Sequence, residues 1–218
     1  MASTFNESYT NLRINLLEKV AKNDAIVLDV GCSNGVNGQY LLSKKIARSV
    51  DGIELNPDMG EVAKERLSSV YIGSVEDDIV SSRLKESHYD YIILGDVLEH
   101  LINPDDTIAM LKKKLKSKGK LIVSLPNVQH VDVFVHVFLK GTFPSNDRGI
   151  FDKTHFHFFT KKDIVKLFDS HGFEINSLER VFRFRDAQDS KFPIYGGILT
   201  RIFKKYYTYQ YIITCTKP

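Results

Sequence analysis

Short apolar runs rich in β-branched residues alternate with amphipathic stretches along the first 125 residues of the chain. This alternation is typical of a parallel sheet whose strands are connected by helices. Five strands are predicted at residues 26–30, 49–54, 69–72, 90–94 and 120–125. Two later runs, at residues 173–184 and 206–216, are expected to form an antiparallel hairpin at the edge of the same sheet. The pattern therefore predicts an α/β fold with a mostly parallel sheet and helices on both faces.

Several helix boundaries carry local signals, because asparagine, threonine and glycine satisfy the unpaired backbone groups at helix ends and proline fits a first turn. The sequence predicts one helix at residues 8–21 and another that runs through residues 40–42. Further helices are predicted to begin at Asn56-Pro57 and at Asn103-Pro104, and the second of these is expected to end at Lys118-Gly119. A last helix is predicted to begin with a capping box of Thr160 and Asp163 and to end at Gly172.

The chain is long enough for one α/β domain and has a net charge of +3, from 30 basic and 27 acidic residues. So small a charge gives no strong nucleic-acid footprint, and we interpret six lysines between residues 112 and 120 as the solvated end of a helix. Cys32 and Cys215 have neither pairing nor metal-ligand spacing, which suits a reducing cytoplasm. No apolar run reaches the roughly 20 residues of a membrane helix, and the N-terminus has no secretory pattern. We expect a cytoplasmic protein without a membrane span.

The turn after the first strand reads Asp29-Val30-Gly31-Cys32-Ser33-Asn34-Gly35. Glycines let a backbone approach a ligand closely, and the following helix N-terminus offers free amides. The turn has neither the G-x-G-x-x-G dinucleotide fingerprint nor the G-K-[ST] of a phosphate loop. Asp29 would repel phosphates but can hold an ammonium group, which favours a nucleoside that carries an amino acid. An ordinary tight turn is the alternative.

Acids and apolar residues also follow the second and third predicted strands. Glu54 ends the second strand, where doubly wound sheets place an acid against ribose hydroxyls; a solvated strand end is the alternative. Leu55, Val75 and Glu76 are candidates to hold an adenine, because they offer apolar walls and an acceptor for its amino group. A solvated acidic loop is the alternative for Val75 and Glu76.

The fourth predicted strand brings Gly95 and Asp96 to the carboxyl edge of the sheet, beside the point where such folds bind ligands. If Asp96 begins a helical turn, its side chain shares one face with those of Glu99 and His100 by i, i+3, i+4 spacing.

These segments, in this order and at these spacings, resemble the class I S-adenosylmethionine-dependent methyltransferases over residues 10–125. Ser33 is a departure, since it stands where the D-x-G-x-G-x-G of that family has its middle glycine. The resemblance implies a Rossmann-like seven-stranded sheet, S-adenosylmethionine as the cofactor and S-adenosylhomocysteine as the product. Together with the local patterns it gives these candidate cofactor-binding residues: Asp29, Gly31, Cys32, Ser33, Gly35, Glu54, Leu55, Val75, Glu76, Gly95 and Asp96.

Residues 148–160, RGIFDKTHFHFFT, resemble the segment after the fifth strand in a bacterial methyltransferase subgroup associated with surface-glycan pathways. The resemblance implies a glycan or other small-molecule acceptor. His155 stands where that pattern has its histidine, and His157 replaces a position that is often basic. His155 is the first candidate for the catalytic base that takes the proton of an acceptor hydroxyl, and His100 is the second. A structural histidine bonded to backbone is the alternative for His155.

We expect a single methyltransferase domain over residues 1–218. Residues 1–125 are its cofactor-binding half, residues 126–160 a lid that shapes the acceptor pocket, and residues 161–218 a closing helix and strands. The predicted reaction moves a methyl group to a hydroxyl of a sugar or other small molecule. A non-catalytic methyltransferase-like binding module stays open as an alternative. A nicotinamide-dependent oxidoreductase also stays open, although its dinucleotide fingerprint is missing. The chain could form a homodimer.

No metal ion is assigned to the predicted site, but one alternative function includes a divalent metal ion. The small-RNA 3′-terminal 2′-O-methyltransferases have a similar arrangement, with an acidic x-x-Glu-His segment and a later histidine. The corresponding residues here are Asp96, Glu99, His100 and His155, and Asp96 is shorter than the glutamate of that family. Such a set can hold a divalent ion that lowers the pKa of a sugar hydroxyl. Many relatives with D-x-x-E-H need no metal, so the hypothesis of a metal-assisted RNA 2′-O-methyltransferase remains the alternative.

Overall fold

The computed structural model describes residues 11–186, 192–194 and 196–218. Its strands form one seven-stranded sheet in the order β3-β2-β1-β4-β5-β7-β6. The strands are β1 (Ala25–Val30), β2 (Ala47–Glu54), β3 (Ser69–Ile72), β4 (Tyr89–Gly95), β5 (Leu115–Pro126), β6 (Glu174–Phe182) and β7 (Thr208–Thr216). Strands β1 to β5 pair in parallel, and β7 pairs antiparallel with β5 and β6. The predicted α/β class, the mostly parallel sheet and the antiparallel edge hairpin are confirmed.

Helices connect the strands and follow the chain in this order: α1 (Ile14–Leu17), α2 (Val36–Ser43), α3 (Pro57–Lys64), α4 (Asp78–Ser81), α5 (Pro104–Lys114), α6 (Val131–Val133), α7 (Lys161–Ser170), α8 (Gly196–Ile202) and α9 (Lys204–Tyr207). A 3-10 turn spans Leu98–His100, and a π-helical segment, Phe134–Leu139, continues α6. The strand order reverses between β1 and β4, which lie side by side. A ligand-binding crevice is therefore expected at the carboxyl ends of these two strands.

The sheet has a core on each face, because successive residues of a strand point to opposite sides. Leu28 of β1 packs with residues of α5 and α7 in one core, whereas Val27 packs with residues of α1, α2 and α3 in the other. Both residues are fully buried, and each such aliphatic side chain contributes roughly 1.5–3 kcal/mol to the free energy of unfolding. The two layers of helices hold the carboxyl edge of the sheet in place.

Two predicted capping sites are confirmed. Asn56 Oδ1 accepts a hydrogen bond from the Met59 amide at 3.1 Å at the start of α3. Thr160 and Asp163 form the reciprocal capping box of α7. The predicted helix start at Asn103-Pro104 is confirmed for α5, but the Asn103 side chain makes no capping hydrogen bond with the described residues, so that part of the prediction is wrong. The start of α5 is held by Glu76, whose carboxylate accepts the Asn103 amide at 2.7 Å.

The first helix, predicted at residues 8–21, is longer than the observed helix over the residues that the structure describes. Residues 8–10 lie outside the described residues, and α1 covers only Ile14–Leu17. After Leu17 the backbone hydrogen bonds tighten to i, i+3 contacts, such as Val20 N to Leu17 O, because the chain must turn toward β1.

The lysine-rich segment is not simply the end of a helix. Helix α5 ends at Lys114, and β5 already begins at Leu115, which pairs with Tyr89. The expected helix end at Lys118-Gly119 is therefore wrong, because Lys118 N and Gly119 O instead pair with Lys217 of the chain's last residues. Lys114 is buried and donates to the Leu84 carbonyl.

Residues 126–160 break the regular alternation, as predicted. They contain α6 and its π-helical continuation, followed by irregular chain that returns to the sheet where Asn127 pairs with Phe159. Within the described part of the chain, no helix has the length and apolar character needed to cross a lipid bilayer.

Candidate active site

The turn between β1 and α2 brings its backbone close to the end of β4. Gly31, Ser33 and Gly35 have φ values of 72°, 51° and 79°. A side chain at Gly31 would place its Cβ 2.8 Å from a methyl carbon of Val97, so glycine is required there. Ser33 adopts the left-handed conformation that suits a glycine. The turn therefore keeps the glycine-rich shape despite the departure at Ser33.

Cys32 faces the protein core. Its Sγ lies 2.6 Å from the point where Gly52 would carry a Cβ, and the amides of Gly31 and Cys32 both donate to the Ile53 carbonyl. Burial, followed by the nearby carboxylate of Asp29, raises the pKa of the thiol, so the group stays protonated. Any contribution of Cys32 to ligand binding is therefore limited to its place in the turn.

Glu54, at the end of β2, contacts the turn from the side. One carboxylate oxygen accepts the Ser33 amide at 2.7 Å and the other accepts the Asn56 amide at 2.9 Å. Each oxygen has a second lone pair, so the carboxylate can also accept from two vicinal hydroxyls. The predicted ribose contact fits this geometry and stays a prediction.

Asp29 lies buried near both Glu54 and Arg13. The residue is 4% exposed, and its Oδ2 has no hydrogen-bond partner among the described residues. Burial and, second, the charge of Glu54 raise the pKa of Asp29 to about 7, whereas the Arg13 guanidinium acts in the opposite direction. A buried carboxylate oxygen without a partner can accept a hydrogen bond from a ligand ammonium group.

Arg13 is a site residue that sequence analysis missed. Its guanidinium pairs with Asp96 at 2.7 Å and donates to the side chains of Ser124 at 3.2 Å and Gln210 at 3.3 Å. These partners are 83, 111 and 197 residues away along the chain, so no local spacing predicts the contacts. Arg13 places a positive charge at the carboxyl edge of the sheet.

Asp96 does not begin a helical turn. Its φ is 60°, and the following 3-10 turn starts at Leu98. Its carboxylate accepts from the Arg13, Ser124 and Gln210 side chains. The prediction that Asp96 shares a helical face with Glu99 is therefore wrong, because the left-handed backbone directs this carboxylate to β5 and β7.

The predicted adenine-binding residues are only partly available. Leu55 is 71% exposed and Val75 is buried. The two carboxylate oxygens of Glu76 already accept the amides of Ile102 and Asn103, at 3.1 and 2.7 Å. The amino-group contact proposed for Glu76 stays a prediction, and its visible role is to hold the start of α5.

Glu99, His100 and His155 form one cluster at this edge of the sheet. One ligand atom from each residue lies within 4.8 Å of those of the other two. The rings of His100 and His155 meet edge to face, with their centroids 4.6 Å apart. The carbonyl of Glu99 accepts the amides of Phe156 and His157, so residues 98–100 and the end of the lid are joined through backbone.

Each histidine ring of the cluster is also held by a backbone or side-chain partner. Nδ1 of His100 lies 2.9 Å from Thr154 Oγ1, and that hydroxyl donates to Asp152 at 2.6 Å. The His155 ring hydrogen-bonds the backbone of Ile150. Both rings are therefore fixed in orientation by the lid segment.

The cluster interacts electrostatically with Asp96, which directly follows β4. Burial and, second, the charge of Asp96 raise the pKa of Glu99 well above its usual range, and Arg13 opposes this. Burial and then His100 lower the pKa of His155, whereas Asp96 raises it. Asp96 thus lies within electrostatic reach of Glu99 and His155.

Aromatic side chains of residues 126–160 reach the cluster through Phe158. The ring of Phe158 lies 6.4 Å from that of His155 and 6.0 Å from that of Phe143, both in edge contacts. Large apolar side chains of this segment are exposed, namely Phe134, Phe138, Leu139, Phe143, Phe156 and Phe158. An open aromatic wall next to polar groups is typical of a binding site for a small organic molecule.

Comparisons with known proteins agree with this arrangement. A family described as methyltransferase domain matches residues 4–178. The ubiquinone biosynthesis O-methyltransferase of Candida albicans is 30% identical over 52% of this chain, and the malonyl-[acyl-carrier protein] O-methyltransferase of Halalkalibacterium halodurans is 29% identical over 45%. The matched part of this chain spans only 36% and 38% of those two proteins.

A solved structure with a similar fold is that of a SAM dependent methyltransferase from Archaeoglobus fulgidus. Its TM-score is 0.66 at 14% identity, and the similarity covers 97% of each chain. The Rossmann-like methyltransferase fold implied by the sequence is therefore confirmed.

Proposed function

The chain belongs to the methyltransferase domain family, and from that premise we propose that it moves a methyl group from S-adenosylmethionine to a hydroxyl oxygen of a small molecule. The acceptor binds between the Glu99, His100 and His155 cluster and the aromatic side chains of residues 126–160. The observation that carries this proposal is the position of the cluster. The cluster lies beside the place where the strand order reverses between β1 and β4, and the charge of Asp96 acts on its Glu99 carboxyl.

The residues around the β1 turn fit the cofactor. The unpartnered Oδ2 of Asp29 suits an ammonium group, and the carboxylate of Glu54 suits two ribose hydroxyls. The guanidinium of Arg13 has five N–H groups, and those that do not donate to Asp96, Ser124 or Gln210 suit a carboxylate. The ammonium group and the carboxylate of the cofactor therefore each have a partner of opposite charge at the carboxyl edge of the sheet.

S-adenosylmethionine supplies a methyl group on a positively charged sulfur. The protein's part is to hold the acceptor oxygen in line with the carbon–sulfur bond and to accept its proton. The acceptor O–H bond breaks and its proton passes to a ring nitrogen of His155 or His100. The oxygen bonds the methyl carbon as the carbon–sulfur bond breaks, and the electron pair of that bond stays on the leaving thioether. Burial lowers the pKa of His155, which keeps its ring unprotonated near neutral pH.

Transfer to oxygen is favoured over other acceptor atoms by the names of the relatives. The two relatives described above are both named as O-methyltransferases, one of ubiquinone biosynthesis and one of malonyl-[acyl-carrier protein]. The exposed phenylalanines near His155 favour an acceptor with an aromatic or apolar part. The acceptor class that we propose first is therefore a hydroxyl on a ring-containing small molecule, with hydroxyls of nucleotide sugars second.

The test uses the full chain and S-adenosylmethionine with a labelled methyl group. The acceptor panel contains phenols and catechols, nucleotide sugars, a malonyl thioester and RNA ends, and products are identified by mass spectrometry. We expect transfer to a hydroxyl oxygen, and at least a 100-fold loss of turnover in His155→Ala, since a positioned base contributes roughly 10²–10⁴-fold. The control His171→Ala changes an imidazole that pairs with Asp105, away from the cluster.

The alternatives give different results. Transfer only to the malonyl carboxylate, which has no proton to lose near neutral pH, would contradict the hydroxyl assignment and the role of His155. A folded chain that binds neither S-adenosylmethionine nor its demethylated product would contradict the proposed reaction.

A further inference from the structure

The geometry points to a binding site for one divalent transition-metal ion, formed by Glu99, His100 and His155. Binding of the ion needs no acceptor and no cofactor, whereas its use in catalysis rests on the function proposed above. The three side chains come from two segments, the 3-10 turn Leu98–His100 and the end of the lid, and their ligand atoms lie within 4.8 Å of one another.

Glu99 gives the independent observation. The residue is 1% exposed, and no other described residue donates a hydrogen bond to either of its carboxylate oxygens. A buried carboxylate without a partner is costly, and such groups are ordinarily paired or bound to a metal. Arg13, a cation that acts on Glu99, is already paired with Asp96. A cation between Glu99 and the two imidazoles would compensate the buried charge.

The histidines have the outer contacts that metal-binding histidines need. His100 is held through Nδ1 by Thr154, which in turn donates to Asp152, and the His155 ring is held by the backbone of Ile150. Hydrogen bonds of this kind fix the tautomer and orientation of an imidazole and leave its other nitrogen to bind the ion.

The donor set indicates the class of ion. Two imidazoles and one carboxylate suit Mn²⁺, Fe²⁺, Co²⁺ or Zn²⁺ better than Mg²⁺ or Ca²⁺, which prefer oxygen ligands. Three protein ligands leave coordination positions open for oxygens of a small molecule. With the ion bound, the two imidazoles are its ligands and not the base, and the ion itself would polarise an acceptor hydroxyl and lower its pKa. Asp96 does not belong to the set, because its carboxylate is occupied by Arg13, Ser124 and Gln210.

Metal binding is measured on untagged full-length protein after exhaustive chelation and dialysis. Calorimetric titration with MnCl₂ and with ZnCl₂, together with the electron paramagnetic resonance of free Mn²⁺, gives affinity and stoichiometry. We expect one ion per chain, at least a 100-fold loss of affinity in Glu99→Gln and in His155→Asn, and a roughly tenfold loss in Thr154→Val, which removes an outer contact. His171→Ala is the control and should bind as the unmodified chain does.

Circular dichroism establishes that each variant is folded, and His155→Asn serves if Glu99→Gln is unstable. An unmodified chain that binds no ion at millimolar concentration, or binding that is equal in Glu99→Gln, His155→Asn and the control, would overturn the site. Methyl transfer is assayed in parallel on the chelated protein. Undiminished transfer without an ion contradicts the use of the ion in catalysis and leaves the proposed function intact, whereas a bound ion with no methylated acceptor supports the site and contradicts the function.

Discussion

Asp29 shows how one residue can link ligand recognition to stability. Its carboxyl is enclosed at the end of β1, with the charge of Glu54 nearby and with Oδ2 lacking a partner among the described residues. These surroundings favour the neutral acid in the folded protein. The ionised form would be favoured by a cationic group of a ligand placed against it.

We predict that Asp29→Asn changes the pH dependence of stability. The pKa of Asp29 is about 7 in the folded protein and near 3.8 in the unfolded chain, so folding takes up a proton between these values. The unmodified chain should therefore lose stability relative to Asp29→Asn as the pH rises from about 4 to 7, by at most about 1.4 kcal/mol per pH unit. Urea unfolding at pH 5, 6, 7 and 8 measures the difference, with Asp58→Asn on the exposed side of α3 as the control. Parallel profiles would contradict the assignment.

Replacement of Glu54 tests the cofactor side of the site. Glu54→Gln keeps an acceptor for a backbone amide of the turn but removes the charge that we assign to ribose hydroxyls. The affinity for S-adenosylhomocysteine, measured by calorimetry, should fall by roughly 1–3 kcal/mol. Glu61→Gln, which changes an exposed carboxylate paired with Lys64 on α3, should leave the affinity unchanged. Equal affinities in the two variants would remove Glu54 from the cofactor site.

At the scale of elements, the lid is expected to determine acceptor binding and not cofactor binding. Phe158 is 44% exposed and its ring contacts those of His155 and Phe143. Phe158→Ala should raise the acceptor KM about tenfold or more, since burial of a phenylalanine contributes roughly 1.5–3 kcal/mol. The dissociation constant of S-adenosylmethionine should stay the same.

The matched control for this change is Ile79→Ala, because Ile79 is an exposed apolar residue on α4, outside the lid. It should alter neither constant. If Phe158→Ala weakened cofactor binding as strongly as acceptor binding, the proposed division between the two parts of the chain would be incorrect.

Helix α7 begins the part of the chain that closes the sheet, and its capping box is expected to stabilise the whole fold. Thr160→Ala removes a hydroxyl that caps the Asp163 amide and donates to the Asp163 carboxylate. The free energy of unfolding at pH 7 should fall by about 0.5–2 kcal/mol. Lys162→Ala, at an exposed position of the same turn, should change it by less. A Thr160→Ala chain as stable as Lys162→Ala would show that the box adds nothing.

For the whole molecule, cofactor binding should appear as a rise in the unfolding temperature. Ligand at 100 times its dissociation constant adds about 2.7 kcal/mol to the stability of the state that binds it. For a chain of this length that corresponds to a rise in Tm of about 5–11 °C. A thermal shift with S-adenosylhomocysteine and none with NAD is the expected result. A shift with NAD alone would indicate a dinucleotide site on the same sheet.

The sequence by itself determined the strands and several helix starts. The continuous apolar run of β1, the glycine turn after it, the capping asparagine of α3 and the capping box of α7 all depend on residues within a few positions of one another. Such local patterns are visible in the sequence because one strand or one turn satisfies them. The predicted strand ends also indicated which acidic residues lie at the carboxyl edge of the sheet.

Only the tertiary structure decided how those residues are partnered. Arg13 lies 83 residues before Asp96 in the chain, and this ion pair, with Ser124 and Gln210, removes Asp96 from the cluster that its spacing suggested. The docking of the lid likewise brings His155 against His100. Contacts between residues far apart along the chain depend on how whole elements pack, and the charge and hydrogen bonds that each group finds there have no signature in the neighbouring sequence.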